Sequence, residues 1–293
     1  AGLPMYAGDR TGEMPLIVAG GPCSYNPEPL AEFVDIFSIG EGEEALCELA
    51  ELIRSCKKEG VSKEELLYRV SRLEGFYVPS LYDVTYNEDG TLASFTPNRE
   101  GVPATVKKRI ITDLDKVYFP EKSPMPYLDV VHDRVMTEVT RGCIRGCRFC
   151  QAGMIYRPVR EKSADVLNAQ AKALFDATGY EEISLASLSI SDYTGLPELT
   201  DKLLDWTKDN MVSFSLPSLR VDSFTKELME ILGYNKAPSY IYYQSPGCQG
   251  AEEFGFMVDT SSGNGWSPIP IPVSWQRTRF LNWQDWLLST AAE

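Results

Sequence analysis

The sequence predicts an α/β protein assembled from parallel-sheet units in two successive parts. Three observations predict it. Apolar runs that end in glycine, residues 15–21 (PLIVAGG) and 34–40 (VDIFSIG), read as buried parallel strands turning toward a helix. From residue 134 to 232, strand-like and helix-like patterns alternate as successive βα units do. The strand-like run 134–140 (RVMTEVT) then opens directly into a cysteine-rich loop, at the strand end where α/β enzymes build their sites.

A chain of 293 residues, 43% of them apolar, can bury cores for two domains. It holds no apolar run of transmembrane length and opens on no export signal, and its first residue is alanine, as in a fragment or processed product. A net charge of −14 argues against generic nucleic-acid binding. Seven cysteines, three of them bunched, do not make a disulfide framework, so a reducing, cytoplasmic location is expected.

Residues 1–62 read as the end of a Rossmann-like unit. After the strand at 34–40 a helix opens on Glu41, Glu43 and Glu44, acids that complement the positive end of its dipole. Leu46, Leu49 and Ile53 supply the inward stripe. Gly20, Gly21, Gly40 and Gly42 suit either tight turns or a ligand. Residues 63–133 read as a connector carrying no chemistry. It holds an amphipathic helix over 63–73 with Leu66, Val70 and Leu73 on one side, a β-hairpin over 76–97 and a proline-rich loop over 118–129. The domain boundary is expected near residue 130.

In 134–232 the first helix covers 163–178, capped by Ser163 and stopped at Gly179. A second strand covers 181–189. A helix over 196–209 follows, with Pro197 in its first turn and Leu199, Leu203 and Trp206 facing inward. A third strand covers 211–217, and a third helix starts near Ser223 with Phe224, Leu228, Ile231 and Leu232 at core spacing. Three βα units with right-handed crossovers make half of a parallel barrel.

The chemistry is concentrated in residues 140–153 (TRGCIRGCRFCQAG), where Cys143, Cys147 and Cys150 stand as C-x₃-C-x₂-C. Three thiolates within eight residues can grip one face of an iron–sulfur cluster, and a four-iron cubane would keep one iron open. Gly142 and Gly146 are expected to allow tight or left-handed turns. The alternatives are a zinc site, which normally wants four ligands and would have to recruit His132 or Cys248, and a redox dithiol, which usually shows a single C-x-x-C. Residues 140–162 hold Arg141, Arg145, Arg148, Arg157, Arg160 and Lys162 against Glu161, a local charge of +5. That excess compensates either thiolates and a cluster or an anionic substrate such as RNA or a phosphorylated metabolite.

The triplet with an aromatic, Phe149, before its last cysteine resembles the radical S-adenosylmethionine (radical SAM) superfamily. The longer run 140–161 (TRGCIRGCRFCQAGMIYRPVRE), with 20–46 (GGPCSYNPEPLAEFVDIFSIGEGEEAL), resembles a subgroup that joins a cobalamin-binding-type domain to a radical SAM domain. The resemblance implies the C-terminal part of a Rossmann-like cobalamin-binding-type domain and an incomplete (β/α)6 partial TIM barrel, truncated at both ends. It implies a 4Fe–4S cluster on Cys143, Cys147 and Cys150, with S-adenosylmethionine on the open iron through its amino and carboxylate groups. Reductive cleavage would give methionine and a 5′-deoxyadenosyl radical, which takes a hydrogen atom from a small-molecule or macromolecular substrate. An electron donor such as flavodoxin or ferredoxin would be the redox partner. Phe149 is implied to pack near the adenine. Ser187, Ser189, Ser191 and Asp192, after the second strand, lie where the superfamily often binds the amino group. Ser218 and Arg220 follow the third strand, where arginine could hold the carboxylate in a forked pair. Each of these polar residues also reads as a helix cap or surface loop residue. The Asp-x-His-x-x-Gly signature of histidine-ligated cobalamin is absent from the chain, which sets bound cobalamin against a degenerate structural domain.

Residues 233–293 break the pattern. They hold eight charged residues in 61, or 13% against 24% overall, and four of the five tryptophans. The resemblance stops near Leu232, and either a reading-frame disruption or a divergent cap accounts for the tail. The expected function is therefore a radical SAM enzyme, present as a fragment. The competing class is a non-enzymatic zinc- or iron–sulfur-binding interaction module.

Overall fold

The computed structural model describes residues 2–218 apart from 129 and 131. The chain divides into two compact units, Ala1–Tyr118 and Phe119–Glu293.

In the first unit, β1 (Val18–Ala19) pairs parallel with β2 (Ile36–Ser38), and β2 pairs antiparallel with β3 (Phe76–Tyr77). Successive residues of a strand point to opposite faces, and both faces of this small sheet are covered. Ile36 and Phe76 join Ala45, Leu49 and Cys56 of α1 (Gly42–Glu59) and Leu66, Leu67 and Val70 of α2 (Lys63–Ser71). Phe37 and Tyr77 face the other way, into a cluster with Tyr82 and Val102 against which Phe95 packs. Tyr82 and Phe95 belong to the hairpin of β4 (Tyr82–Tyr86) and β5 (Leu92–Pro97), and their rings stack at 4.6 Å.

Three expectations are corrected here. The inward stripe of α1 runs through Ala45, Leu49 and Cys56, and Leu46 is 51% exposed. Leu49 is buried and Ile53 packs against the same core as expected, so only Leu46 falls outside the stripe, where Ala45 beside it takes the inward place. The stretch expected as a connector is not one along its first half. α2 and β3 complete one core and the hairpin closes the other, because a sheet apolar on both faces needs two covers. The break falls after Tyr118 rather than near 130, and Phe119 packs against the second unit's core.

The first unit also buries a charge cluster. Asp35, 4% exposed, accepts from Arg10 Nε at 3.1 Å and from the backbone N–H of Ile17 at 2.8 Å, and Lys63 Nζ lies 2.8 Å away. Gly40 is structural: at φ +114° its Cα faces the crossing backbone of Arg109, whose carbonyl oxygen would stand 2.2 Å from an added Cβ.

In the second unit β6 (Val135–Glu138), β9 (Glu182–Ala186) and β10 (Ser213–Ser215) form a parallel sheet in the order β10-β9-β6. A two-stranded antiparallel ladder, β7 (Thr140–Arg141) with β8 (Arg160–Glu161), sits beyond the end of β6. A short α3 (Ala152–Ile155) lies between them. α4 (Ala164–Thr178) is capped by Ser163, whose hydroxyl accepts from Val166 N, and ends at Gly179 as expected. α5 (Leu196–Asn210) follows β9. Leu167, Ala171 and Leu174 of α4 and Leu199 and Leu203 of α5 pack with Val135, Ile183, Leu185 and Phe214. The register puts Met136, Glu138, Ser184, Ala186 and Ser215 on the opposite face, so the sheet is apolar toward its helices and mostly polar on the other side. No described helix is long and apolar enough to cross a membrane.

Thr137 is fully buried, and its hydroxyl has no hydrogen-bond partner among the described residues. A buried, unpaired hydroxyl costs its desolvation with nothing in return. Thr137→Val keeps the shape and is expected to stabilise the second unit by about 1 kcal/mol, read as a higher denaturant midpoint at unchanged slope. An unchanged or lowered midpoint would show that the hydroxyl is satisfied in solution.

Candidate functional site

The cysteine loop is a closed excursion. The chain leaves the sheet at β6, passes Val139, whose N–H donates to Ala186 O at 2.9 Å, and enters β7. It returns through β8 after residues 142–159, and there Thr140 pairs with Glu161 and Arg141 with Arg160. Lys162 N then donates to Val139 O at 3.0 Å, so the ladder continues to the root of the loop. Gly142 sits just inside the clamp at φ +91°, and an added Cβ would stand 2.7 Å from the carbonyl oxygens of both Tyr156 and Pro158. Only glycine fits there. Gly146, expected to share this role, has an ordinary φ and open space around it, so its lack of a side chain is not demanded by the backbone.

Cys143, Cys147 and Cys150 all lie on this loop at the C-terminal edge of the parallel sheet. They are partly exposed and none is in a disulfide. Cys150 N donates to Cys147 O at 3.0 Å, a tight turn that folds the chain back between the second and third thiols. Among the described residues no three His, Cys, Asp or Glu side chains are gathered closely enough for a single metal ion. A cubane places no such demand, since it takes each thiolate on a different iron. Phe149, between the last two cysteines, is 61% exposed, as is Ile144.

The arginines are tied down by the chain itself. Arg141 forks onto Glu138, with Nε and Nη2 each 2.9 Å from a carboxylate oxygen. Arg160 donates to the carbonyl oxygen of Pro158 at 3.1 Å, and Arg157 to that of Arg145 at 3.2 Å. Arg145 forks onto Asp192, through Nε at 2.9 Å to Oδ2 and through Nη2 to Oδ1. Glu138 and Asp192 thus offset two of the five excess positive charges of the segment.

The second strand's end meets the loop directly. Thr140 and Ser187 hydroxyls lie 2.6 Å apart, and Ser187 Oγ accepts from Ser189 N at 3.1 Å. Ser189 is buried and its hydroxyl donates to Asp192 Oδ2 at 2.8 Å. Ser191 is half-buried on the 3-10 turn Ile190–Asp192. Of the residues expected to hold the amino group, Ser187, Ser189 and Asp192 are therefore engaged by the protein, and Ser191 is not without a partner. Ser218 is exposed at φ +62° beyond β10. Arg220, Cys248, the third helix and the tail from 233 lie outside the described residues. Sequence reasoning named Arg145 only as one of the segment's basic residues, without its acid, and assigned nothing to Tyr193 or Thr194. The signal for the first was present: a segment with an excess of arginine needs acids, and the acid stands at the end of the next strand.

The loop geometry agrees with what comparison with known proteins finds. A model of the N-terminal region of radical SAM proteins matches residues 1–79, and a model of the radical SAM superfamily matches residues 137–242. The chain carries radical SAM superfamily domains. The radical SAM core match takes in all three cysteines and the turn after β9, and runs past residue 232, where the sequence resemblance was expected to stop. The radical SAM N-terminal match ends beyond α2 and β3, which the structure also assigns to the first unit. An uncharacterized protein of Methanocaldococcus jannaschii is 29% identical over 218 residues, 74% of this chain. The matched stretch spans 40% of that relative's length.

Proposed function

We propose that the chain is part of a radical SAM enzyme whose cluster is held by Cys143, Cys147 and Cys150. The observation that carries the reading is the clamped loop, which presents three thiols from one excursion at the C-terminal edge of a parallel sheet. The residues fit a 4Fe–4S cluster: the thiols are accessible and unbridged, and they stand on a segment of net positive charge. When bound, the cluster with S-adenosylmethionine supplies one-electron cleavage and hydrogen-atom abstraction, chemistry general to this superfamily.

The chain's own groups supply position and charge. Three thiolates bring negative charge that Arg141, Arg145, Arg148, Arg157 and Arg160 offset. Phe149 offers an exposed ring to a planar base, and the hydroxyls of Ser191 and Ser218 are candidates for the cofactor's amino and carboxylate groups. Arg220 is kept as a candidate carboxylate partner on sequence alone. The three strands of the second unit are read as the first part of a (β/α)6 barrel, with the polar face of the sheet turned to its interior. The first unit is read as the end of a Rossmann-like domain. Cobalamin is given no residues, since the chain's single histidine, His132, stands in no Asp-x-His-x-x-Gly run. An electron donor such as flavodoxin or ferredoxin and a cytoplasmic site of action belong to the same reading.

The test is anaerobic reconstitution with iron and sulfide. Roughly four irons per chain and a broad visible absorbance are expected, and Cys147→Ala should abolish both. Stoichiometric zinc with no iron uptake would overturn the assignment in favour of a zinc module.

A further inference from the structure

Three consecutive residues after β9 each reach the cysteine segment. Asp192 holds the guanidinium of Arg145, the Tyr193 hydroxyl donates to Lys162 O at 2.9 Å, and Thr194 donates to Glu161 through its N–H at 3.2 Å and its hydroxyl at 2.5 Å. Tyr193 and Thr194 thereby fix the returning strand of the loop. Asp192 fixes the excursion itself, because Arg145 stands midway between Cys143 and Cys147, two residues from each. The backbone of Arg145 is held as well, its carbonyl accepting from Arg157.

From this geometry we infer that Asp192 and Arg145 are positioning residues that set the spacing of the first two cysteine ligands, and that Asp192 is not the ammonium ligand of the cofactor. The inference rests on the cluster reading above. A carboxylate has about four lone-pair directions, and Asp192 spends three of them on Arg145 Nε, Arg145 Nη2 and Ser189 Oγ. Its side chain is only 13% exposed, so an ammonium would have to displace a forked guanidinium to reach it. Ser189 is buried and points its proton at Asp192, which orients the carboxylate toward the loop. Partners of this kind beyond the ligands themselves typically change metal affinity 10- to 100-fold, about the effect expected here.

The experiment compares the full chain with Asp192→Ala, Arg145→Ala and the exchanged pair Arg145→Asp with Asp192→Arg. Each is reconstituted anaerobically and challenged with an iron chelator while the cluster absorbance is followed. Both single variants should lose the cluster on the order of tenfold faster than wild type, and the exchanged pair should recover part of that loss. In the metal-free chain, mass-mapped alkylation of Cys143 and Cys147 should speed up in the single variants and slow again in the exchanged pair, with helical content unchanged. A cluster lifetime and thiol reactivity at wild-type values in Asp192→Ala, with S-adenosylmethionine affinity alone reduced, would overturn the inference and make the carboxylate a cofactor ligand. No recovery in the exchanged pair would also overturn it, by showing a general structural loss. A wild-type chain that takes up no iron removes the cluster reading and this inference with it.

Discussion

Gly142→Ala is expected to yield a folded chain that loads almost no cluster. The new Cβ would meet two carbonyl oxygens at 2.7 Å and the Val159 Cα at 3.0 Å, all backbone atoms that cannot swing aside. The position also demands φ +91°, and even the milder left-handed region costs a residue with a Cβ roughly 1–2 kcal/mol. The cheapest relief is to open the β7–β8 ladder at Arg141–Arg160, one residue away. Opening it moves Cys143, the next residue, off the sheet edge. The core of the second unit does not include residue 142, so circular dichroism should stay near wild type while iron per chain falls at least about tenfold. Wild-type iron loading in Gly142→Ala would show that the clamp has slack and that thiol placement does not depend on it.

The largest stability loss is expected from Asp35→Ala in the first unit. Arg10 and Asp35 side chains are each 2% exposed, and Lys63 and the Ile17 N–H converge on the same carboxylate. Removing it leaves the Arg10 charge buried with carbonyl partners from Pro4, Met5 and Phe33 but no counter-charge. Breaking such a pair from one side typically costs about 3–5 kcal/mol. Asp35→Asn keeps one acceptor oxygen for the Ile17 N–H and should lose less. Chemical denaturation should show the unit containing Asp35 unfolding at clearly lower denaturant in Asp35→Ala, with cluster loading of the second unit retained. A change below about 1 kcal/mol would mean that water replaces the carboxylate readily and that the cluster of charges is not sealed.

Local signals carried most of the second unit into view. Ser163 and Gly179 bracket α4 because a hydroxyl cap and a glycine stop are chemical properties of single residues. The cysteine triplet was legible for the same reason: its three thiols lie within one loop. What escaped was non-local. Leu46 looked like core because periodicity places an apolar stripe but not its exact edge, and in that turn Ala45 rather than Leu46 is buried. Of the hairpin expected over 76–97, Tyr82–Pro97 forms one, while Phe76–Tyr77 joins β2 in the other sheet, and the hairpin's role as the cover of Phe37 and Tyr77 depends on strands far earlier in the chain. Asp192 was noticed as a carboxylate beside a site. Its partner Arg145, 47 residues earlier in the chain, is a fact of tertiary structure that the sequence carries only as a local excess of positive charge.

The ladder at the root of the cysteine loop bears on how the cost of ordering that loop is shared. Bringing the ends of a loop together has an entropic cost that grows with loop length, and in many small metal domains the metal itself supplies the compensating free energy. Here backbone pairing of Thr140 with Glu161 and Arg141 with Arg160 closes the loop with the chain's own hydrogen bonds. A disturbed ladder would therefore loosen the hold on a cluster without touching a single thiol.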